Sequence, residues 1–188
     1  MAANTRDKII TAAIKLFETY GFSGTTTMAI AKEAKVSEMT IFRNFGNKEN
    51  VFHEAVMEMT KMGDFQVLKE KMTGNLRTDL VLLGNIMAGF FQKNKNMIRM
   101  MMFESIKEPK IMELLADSPI KNQAILVKVL ENKIQGDPVL TAEMFTSAIF
   151  GYVFGVSNFH GVSNVQEKDE TVVTAKYIEA LVDQLLNC

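Results

Sequence analysis

The chain has 188 residues, 47% of them hydrophobic, which suits one compact protein or a small domain fused to a larger one and excludes a disordered chain. Its formal net charge of −1 does not by itself advertise a nucleic-acid partner, but the charge is uneven. Residues 1–50 carry seven Lys/Arg against five Asp/Glu and residues 51–188 fourteen against seventeen, a weakly basic head on an acidic body.

Asn4 to Tyr20 reads as a first helix, with Ile10, Ala13, Ile14 and Phe17 in its buried stripe, Asn4 and Asp7 as a capping pair, and Gly21 as its stop. Thr26 is placed to cap a second helix whose inner face, Ile30, Ala31 and Ala34, is mostly small. Lys35-Val36-Ser37 breaks it, and Ser37 caps a third helix from Glu38 to Phe45. That helix buries Ile41 and Phe45, shows Glu38, Met39, Thr40, Arg43 and Asn44 on its other face, and ends at Gly46. Two short helices with a small-residue contact and a tight turn fit a helix-turn-helix, whose second helix enters the major groove.

A fourth helix, Lys48 to about Met62, presents Val51, Phe52, Ala55, Val56 and Met59 on one face and links head to body. A segment of poor periodicity between Gly63 and Gly74 follows, then a strongly apolar stretch from Leu80 to Phe91 and a short helix from Met97 to Ile106. Pro109 opens a short helix, and Ser118-Pro119 opens a longer one to about Ile134. Asp137 is the N-cap of a helix from Val139 to about Phe159, Gly161 to Glu167 forms a loop, and Asp169 to Leu185 is the last helix, with Val173, Tyr177, Leu181 and Leu185 in one row. Strand-like alternation and repeats are lacking, so the fold class is all-α.

From Met144 to Gln166 no residue is charged, and Gly151 and Gly155 form a GxxxG pair. Thr146, Ser147, Ser157, Asn158 and His160, and the lack of a flanking Lys/Arg cluster, argue against a membrane span. The better fit is a helix buried on all sides in an assembly, with Gly151 and Gly155 at the seam of a homodimer and Tyr177 and Leu181 beside them in a four-helix bundle. Enzyme chemistry finds no footing. His53 and His160 match no metal-ligand spacing, and neither a G-x-S-x-G turn, a Gly-rich phosphate loop nor a Cys pair is present. No catalytic residue, metal or cofactor is therefore expected. The single cysteine, Cys188, permits no intramolecular disulfide, and with an N-terminus lacking a long apolar run it points to the cytoplasm.

The first 55 residues resemble, in register and without gaps, the DNA-binding domain of the tetracycline-repressor (TetR) family of transcription regulators. The matching positions are Ile10, Ala13, Phe17, Gly21-Phe22, Thr25-Thr26, Ile30-Ala31, Ala34, Val36-Ser37, Thr40 to Phe45, Asn47-Lys48-Glu49 and Val51-Phe52. Four positions depart from the pattern: Ala29 replaces a common acid, Lys35 a common Gly, Asn44 a common His, and Phe42 a Tyr whose hydroxyl commonly reaches a phosphate. The resemblance implies a three-helix DNA-binding domain over residues 1–50 and a helical ligand-binding and dimerisation domain over 51–188. It implies a homodimeric repressor on a palindromic double-stranded operator, released by a small apolar effector. Glu38, Met39, Thr40 and Arg43 then face base edges, Thr26, Thr27, Ser37, Asn44 and Lys48 hold phosphates, and Phe42 adjoins them without the hydrogen bond. Arg6 and Lys8 lie near the phosphates. Fourteen methionines favour an adaptable apolar cavity, for which Met87, Phe90, Phe91, Met101, Met102 and Phe145 are the candidates. Two alternatives stay open: a DNA-binding regulator without a small-molecule inducer, and a ligand- or partner-binding protein that has lost DNA binding.

Overall fold

The computed structural model describes residues 4–60, 71–106, 111, 122–156 and 170–187, and among these every regular element is helical. In chain order they are α1 (Thr5–Gly24), α2 (Thr27–Ala34), α3 (Glu38–Phe45), α4 (Lys48–Thr60), α5 (Leu76–Lys93), α6 (Lys95–Glu104), α7 (residues 122–130), α8 (Pro138–Gly151), a π-helical turn Tyr152–Val156, and α9 (Glu170–Leu186). The expected helix at Pro109, the start of the one at Pro119, most of the Gly63–Gly74 segment, the Gly161–Glu167 loop, His160 and Cys188 lie outside the described residues.

Two compact units divide the described helices. The first holds α1 to α4 and α6. Its centre is Phe17, fully buried, with the rings of Phe22 at 5.9 Å and Phe52 at 5.0 Å and the Phe22–Phe52 pair at 4.9 Å. Stacked, edge-on and tilted rings at such distances add to the burial of their apolar area. Of the expected inner faces, Ile10, Ala13 and Phe17 of α1, Ile30, Ala31 and Ala34 of α2, Ile41 and Phe45 of α3, and all five named residues of α4 are buried, whereas Ile14 of α1 is half-buried and Ile9 and Ala12 share the core face instead. α6 packs along α1 and buries Met97, Ile98, Met100 and Met101.

The second unit holds α5, α7, α8 and α9. Leu80, Leu83 and Met87 of α5 meet Leu126 and Leu130 of α7, Phe145 and Ile149 of α8, and Ile178 and Val182 of α9. At Gly84 the helices lie close: a Cβ there would stand 2.7 Å from Ile178 Cγ2 and 3.0 Å from Phe145 Cζ. The row of Val173, Tyr177, Leu181 and Leu185 is half-buried, while the neighbouring row of Thr174, Ile178 and Val182 forms the core face of α9. α8 is likewise not buried on all sides within the chain; Leu140, Met144, Ser147 and Gly151, at helical spacing, make an exposed stripe. Regular α-helix gives way at Gly151 to the π turn Tyr152–Val156, and the expected end of this helix at Phe159 lies outside the described residues.

Polar contacts fix the entry to α5. The buried Asp79 carboxylate accepts from Thr73 N at 2.7 Å, Thr73 Oγ1 at 3.0 Å and Gly74 N at 3.0 Å. Arg77 forks onto Asp183 of α9 at 2.6 and 2.9 Å, and those hydrogen bonds hold the Asp183 carboxyl below its ordinary value. The pair's contribution is present above the usual carboxylate range and fades as pH falls through the lowered value, though at an exposed site it is small. Among the described residues no helix is long and apolar enough to cross a membrane.

Gly84→Val places branched carbon where α5, α8 and α9 meet, and overpacking of this kind costs about 1–3 kcal/mol. Thermal unfolding of the variant is expected to show a Tm several degrees lower; an unchanged Tm would mean that α5 sits less tightly on its neighbours.

Candidate nucleic-acid interface

The head is built from helix ends that the sequence closes one by one. Asn4 caps α1, its side chain accepting from Arg6 N at 3.4 Å. Regular α1 geometry fails at Gly21, with φ 74° and ψ 172°, a conformation that only glycine adopts freely. The chain then turns so that Thr25 lies buried, its hydroxyl within hydrogen-bond reach of the carbonyls of Gly21 (2.8 Å) and Leu16 (3.1 Å). Lys48 completes the closure. Its ammonium donates to Phe22 O at 2.9 Å and Thr25 O at 3.1 Å and sits 4.3 Å over the Phe22 ring. Carbonyls at a helix C-terminus have no partner inside the helix, and these two side chains supply it.

Thr26 caps α2, accepting from Ala29 N at 3.1 Å. Lys35 ends it in the left-handed region, φ 57° and ψ 45°, with Lys35 N and Val36 N donating to Ala31 O. Ser37 caps α3, accepting from Thr40 N at 3.2 Å, and the two hydroxyls pair at 2.8 Å. Thr27 at the start of α2 donates to the Glu38 carboxylate at the start of α3, at 2.6 Å. Two helix N-termini are thereby tied together, and the carboxylate stands in the first turn of α3, where the helix dipole favours an anion.

The site residues expected from sequence fall into three groups. Arg43 and Met39 are exposed on the face of α3 opposite the buried Ile41 and Phe45, and neither makes a polar contact among the described residues. Phe42 is partly exposed on the flank. Glu38, Thr27, Ser37 and Thr40 are engaged with one another, which sets the geometry of the α2–α3 junction and leaves each pair fewer donors for phosphate. Asn44 and Lys48 are half-buried and bonded inward, Asn44 Nδ2 to Thr40 O at 2.6 Å and Lys48 with two of its three donors. Arg6, expected near phosphates, bonds Asn44 O at 3.4 Å and Glu54 at 3.0 Å and lies 4.7 Å over the Phe45 ring.

The expected ligand-lining residues divide between the units. Met87 and Phe145 are buried in the core of the second, and Phe90 and Phe91 are half-buried beside them, their rings 5.8 Å apart. Phe91 is edge-on to Phe150 at 5.3 Å, and Phe150 stacks on Phe154 at 4.4 Å. Met101 is buried in the first unit and Met102 is exposed there. Gln123 escaped the sequence reading. Its Oε1 accepts from Thr146 Oγ1 at 3.3 Å, while its amide nitrogen is buried without a hydrogen-bond partner among the described residues. The available signal was a glutamine on the same stripe as Leu126 and Leu130. Of the expected seam residues, Gly151 is exposed, Gly155, Tyr177 and Leu181 are half-buried, and Tyr177 stacks on Tyr152 at 4.1 Å. Among the described residues no group of three or more His, Cys, Asp or Glu is arranged to hold a metal.

Lys35 bears a strain that glycine would not; the left-handed conformation costs an L-residue roughly 1–2 kcal/mol, partly offset by the extra chain entropy of glycine. Lys35→Gly is therefore expected to raise stability by up to about 1 kcal/mol in urea unfolding. A destabilised variant would show that the lysine side chain itself holds the turn.

Comparison with known proteins agrees with this geometry. Residues 9–55 match the family described as bacterial regulatory proteins, tetR family. The chain is 30% identical over 154 residues to the uncharacterized HTH-type transcriptional regulator YvkB of Bacillus subtilis, an alignment spanning 79% of this chain and 80% of that one. It is 26% identical over 142 residues to the probable acrEF/envCD operon repressor of Escherichia coli, covering 76% and 54%. The solved structure of Salmonella enterica GusR shares the fold at a TM-score of 0.73, with 20% identity over 98% of this chain and 96% of that one.

Proposed function

The chain belongs to the tetR family of bacterial regulatory proteins, and from that premise we propose that it is a homodimeric repressor that reads a palindromic operator and leaves it when a small, largely apolar ligand binds. It is a transcription regulator, not an enzyme. The observation that carries the proposal is the outward face of α3: Arg43 and Met39 stand free on a short helix whose N-terminus is capped by Ser37 and tied to α2 through Thr27 and Glu38. Base-reading side chains need such a rigid platform, because positional error at a base edge costs specificity. Phosphate contacts fall to the remaining donors of Thr26, Thr27, Ser37, Asn44 and Lys48 and to the first-turn N–H groups of α2 and α3.

The functional division is a DNA-reading head over residues 1–50 and a ligand-binding and dimerisation domain over 51–188. Ligand response draws support from the half-buried Phe90, Phe91, Phe150 and Phe154 and from the unpaired Gln123 amide, since a buried donor left without a partner is costly until something accepts from it. The effector acts by binding one conformation better than the operator-bound one. Dimerisation draws support from the exposed Leu140–Met144–Ser147–Gly151 stripe and the half-buried Tyr177 and Leu181. The proposed location is the cytoplasm, and named repressor relatives such as the E. coli protein favour repression over activation.

Fluorescence anisotropy with the DNA upstream of the chain's own gene, at several salt concentrations and against a scrambled duplex, tests DNA reading. Specific binding that weakens steeply with salt is expected. Arg43→Ala should lose about 1–3 kcal/mol of binding and relax the preference at one base pair. Unchanged affinity and preference would remove Arg43 from the readout.

Gly151→Arg tests the seam. A Cβ at Gly151 meets nothing within 4 Å in the single chain, so the fold should persist by circular dichroism while sedimentation shows monomer and operator affinity falls. A variant that stays dimeric and binds normally would place the seam elsewhere.

A further inference from the structure

The reading head exposes more apolar surface than phosphate binding explains. Met39 is 74% exposed, Met28 67% and Phe42 45%. Met28 follows Thr27 and Met39 follows Glu38, so the two methionines flank the hydrogen bond that joins the starts of α2 and α3. A thioether is at most a weak acceptor and carries no donor, so neither methionine side chain can bind a phosphate oxygen. In the major groove the base edges offer one apolar group, the C5-methyl of thymine.

Resting on the reading that α3 enters the major groove, we propose that Met39 packs against a thymine methyl, and that each operator half-site carries that thymine within about two base pairs of the guanine read by Arg43. The spacing follows from the helix. Met39 and Arg43 are four residues apart on one face, a rise of about 6 Å, against 3.4 Å per base pair. Their neighbours do not compete for this role. Glu38 is held by Thr27, Thr40 is paired with Ser37, and Ile41 and Phe45 are buried. Of the two large apolar side chains of α3 outside the core, Met39 is 74% exposed on the face of Arg43, and Phe42, 45% exposed, lies on the flank.

The operator is first selected from random duplexes with the full-length protein. Each thymine in it is then replaced singly by deoxyuridine, which lacks only the methyl group. Anisotropy gives the Kd of each duplex for the wild-type protein and for Met39→Ala, Met28→Ala and Arg43→Ala. The expected result is one thymine per half-site whose replacement weakens wild-type binding roughly fourfold, the ratio that burying one such group gives. That penalty should vanish in Met39→Ala, persist in Met28→Ala, and fall within two base pairs of the position where Arg43→Ala loses its preference. The proposal is overturned if no deoxyuridine affects the wild type, if the penalty persists in Met39→Ala, or if it vanishes in Met28→Ala instead. Failure of the underlying reading looks different. No sequence would then be enriched, Arg43→Ala would bind every duplex as the wild type does, and the assignment of Met39 would fall with it.

Discussion

The end of α1 is where the head is held together. Gly21 turns the chain, Phe22 folds back onto Phe17 and Phe52, and the carbonyls this leaves exposed are taken up by the Thr25 hydroxyl and the Lys48 ammonium. One apolar triad and two polar side chains thereby fix the end of α1, the approach to α2 and the start of α4. Glu104 of α6 joins the same place, its Oε2 accepting from Ser23 Oγ at 2.8 Å, and a Cβ at Gly21 would stand 2.7 Å from its other oxygen. The position of α3, and so of Arg43 and Met39, is inherited from this closure.

Much of the head was legible because its signals are local. Thr26 and Ser37 cap the helices they precede, Gly46 ends α3, and the spacing of Ile30, Ala31, Ala34, Ile41 and Phe45 gives the inner faces directly. Lys35 was legible as a departure, and its positive φ is the physical form of that departure. What could not be read were long-range polar partnerships. Nothing in the local sequence says that Lys48 turns inward to Phe22 and Thr25, that Arg6 spans Asn44 and Glu54, or that Thr27 takes the Glu38 carboxylate. Charge and exposure look alike in sequence, so these residues read as surface contacts.

The body was legible in type and less so in phase. Tyr177 and Leu181 occupy a half-buried row while Ile178 and Val182 take the core, because a row of apolar residues in α9 is compatible with either neighbour until α5 and α8 are in place. Asp79 and Gln123 show the same limit for polar groups. One is fully satisfied by the turn it organises and the other keeps an unpaired amide, and only the packing around them tells the two apart.

The hydrogen bond from Lys48 to Thr25 O has a topological consequence. It closes the chain on itself across 23 residues, so α2 and α3 form a cassette drawn shut at its neck by a contact outside the reading helix. Closure entropy grows only with the logarithm of loop length, so the neck is insensitive to small changes in the length of the cassette. Provided Ile30, Ala31, Ala34, Ile41 and Phe45 keep the packing faces and Thr27 keeps Glu38, the exposed Met39 and Arg43 are exchangeable without reopening the frame. DNA preference can therefore drift through Met39 and Arg43 while the frame that carries them stays the same.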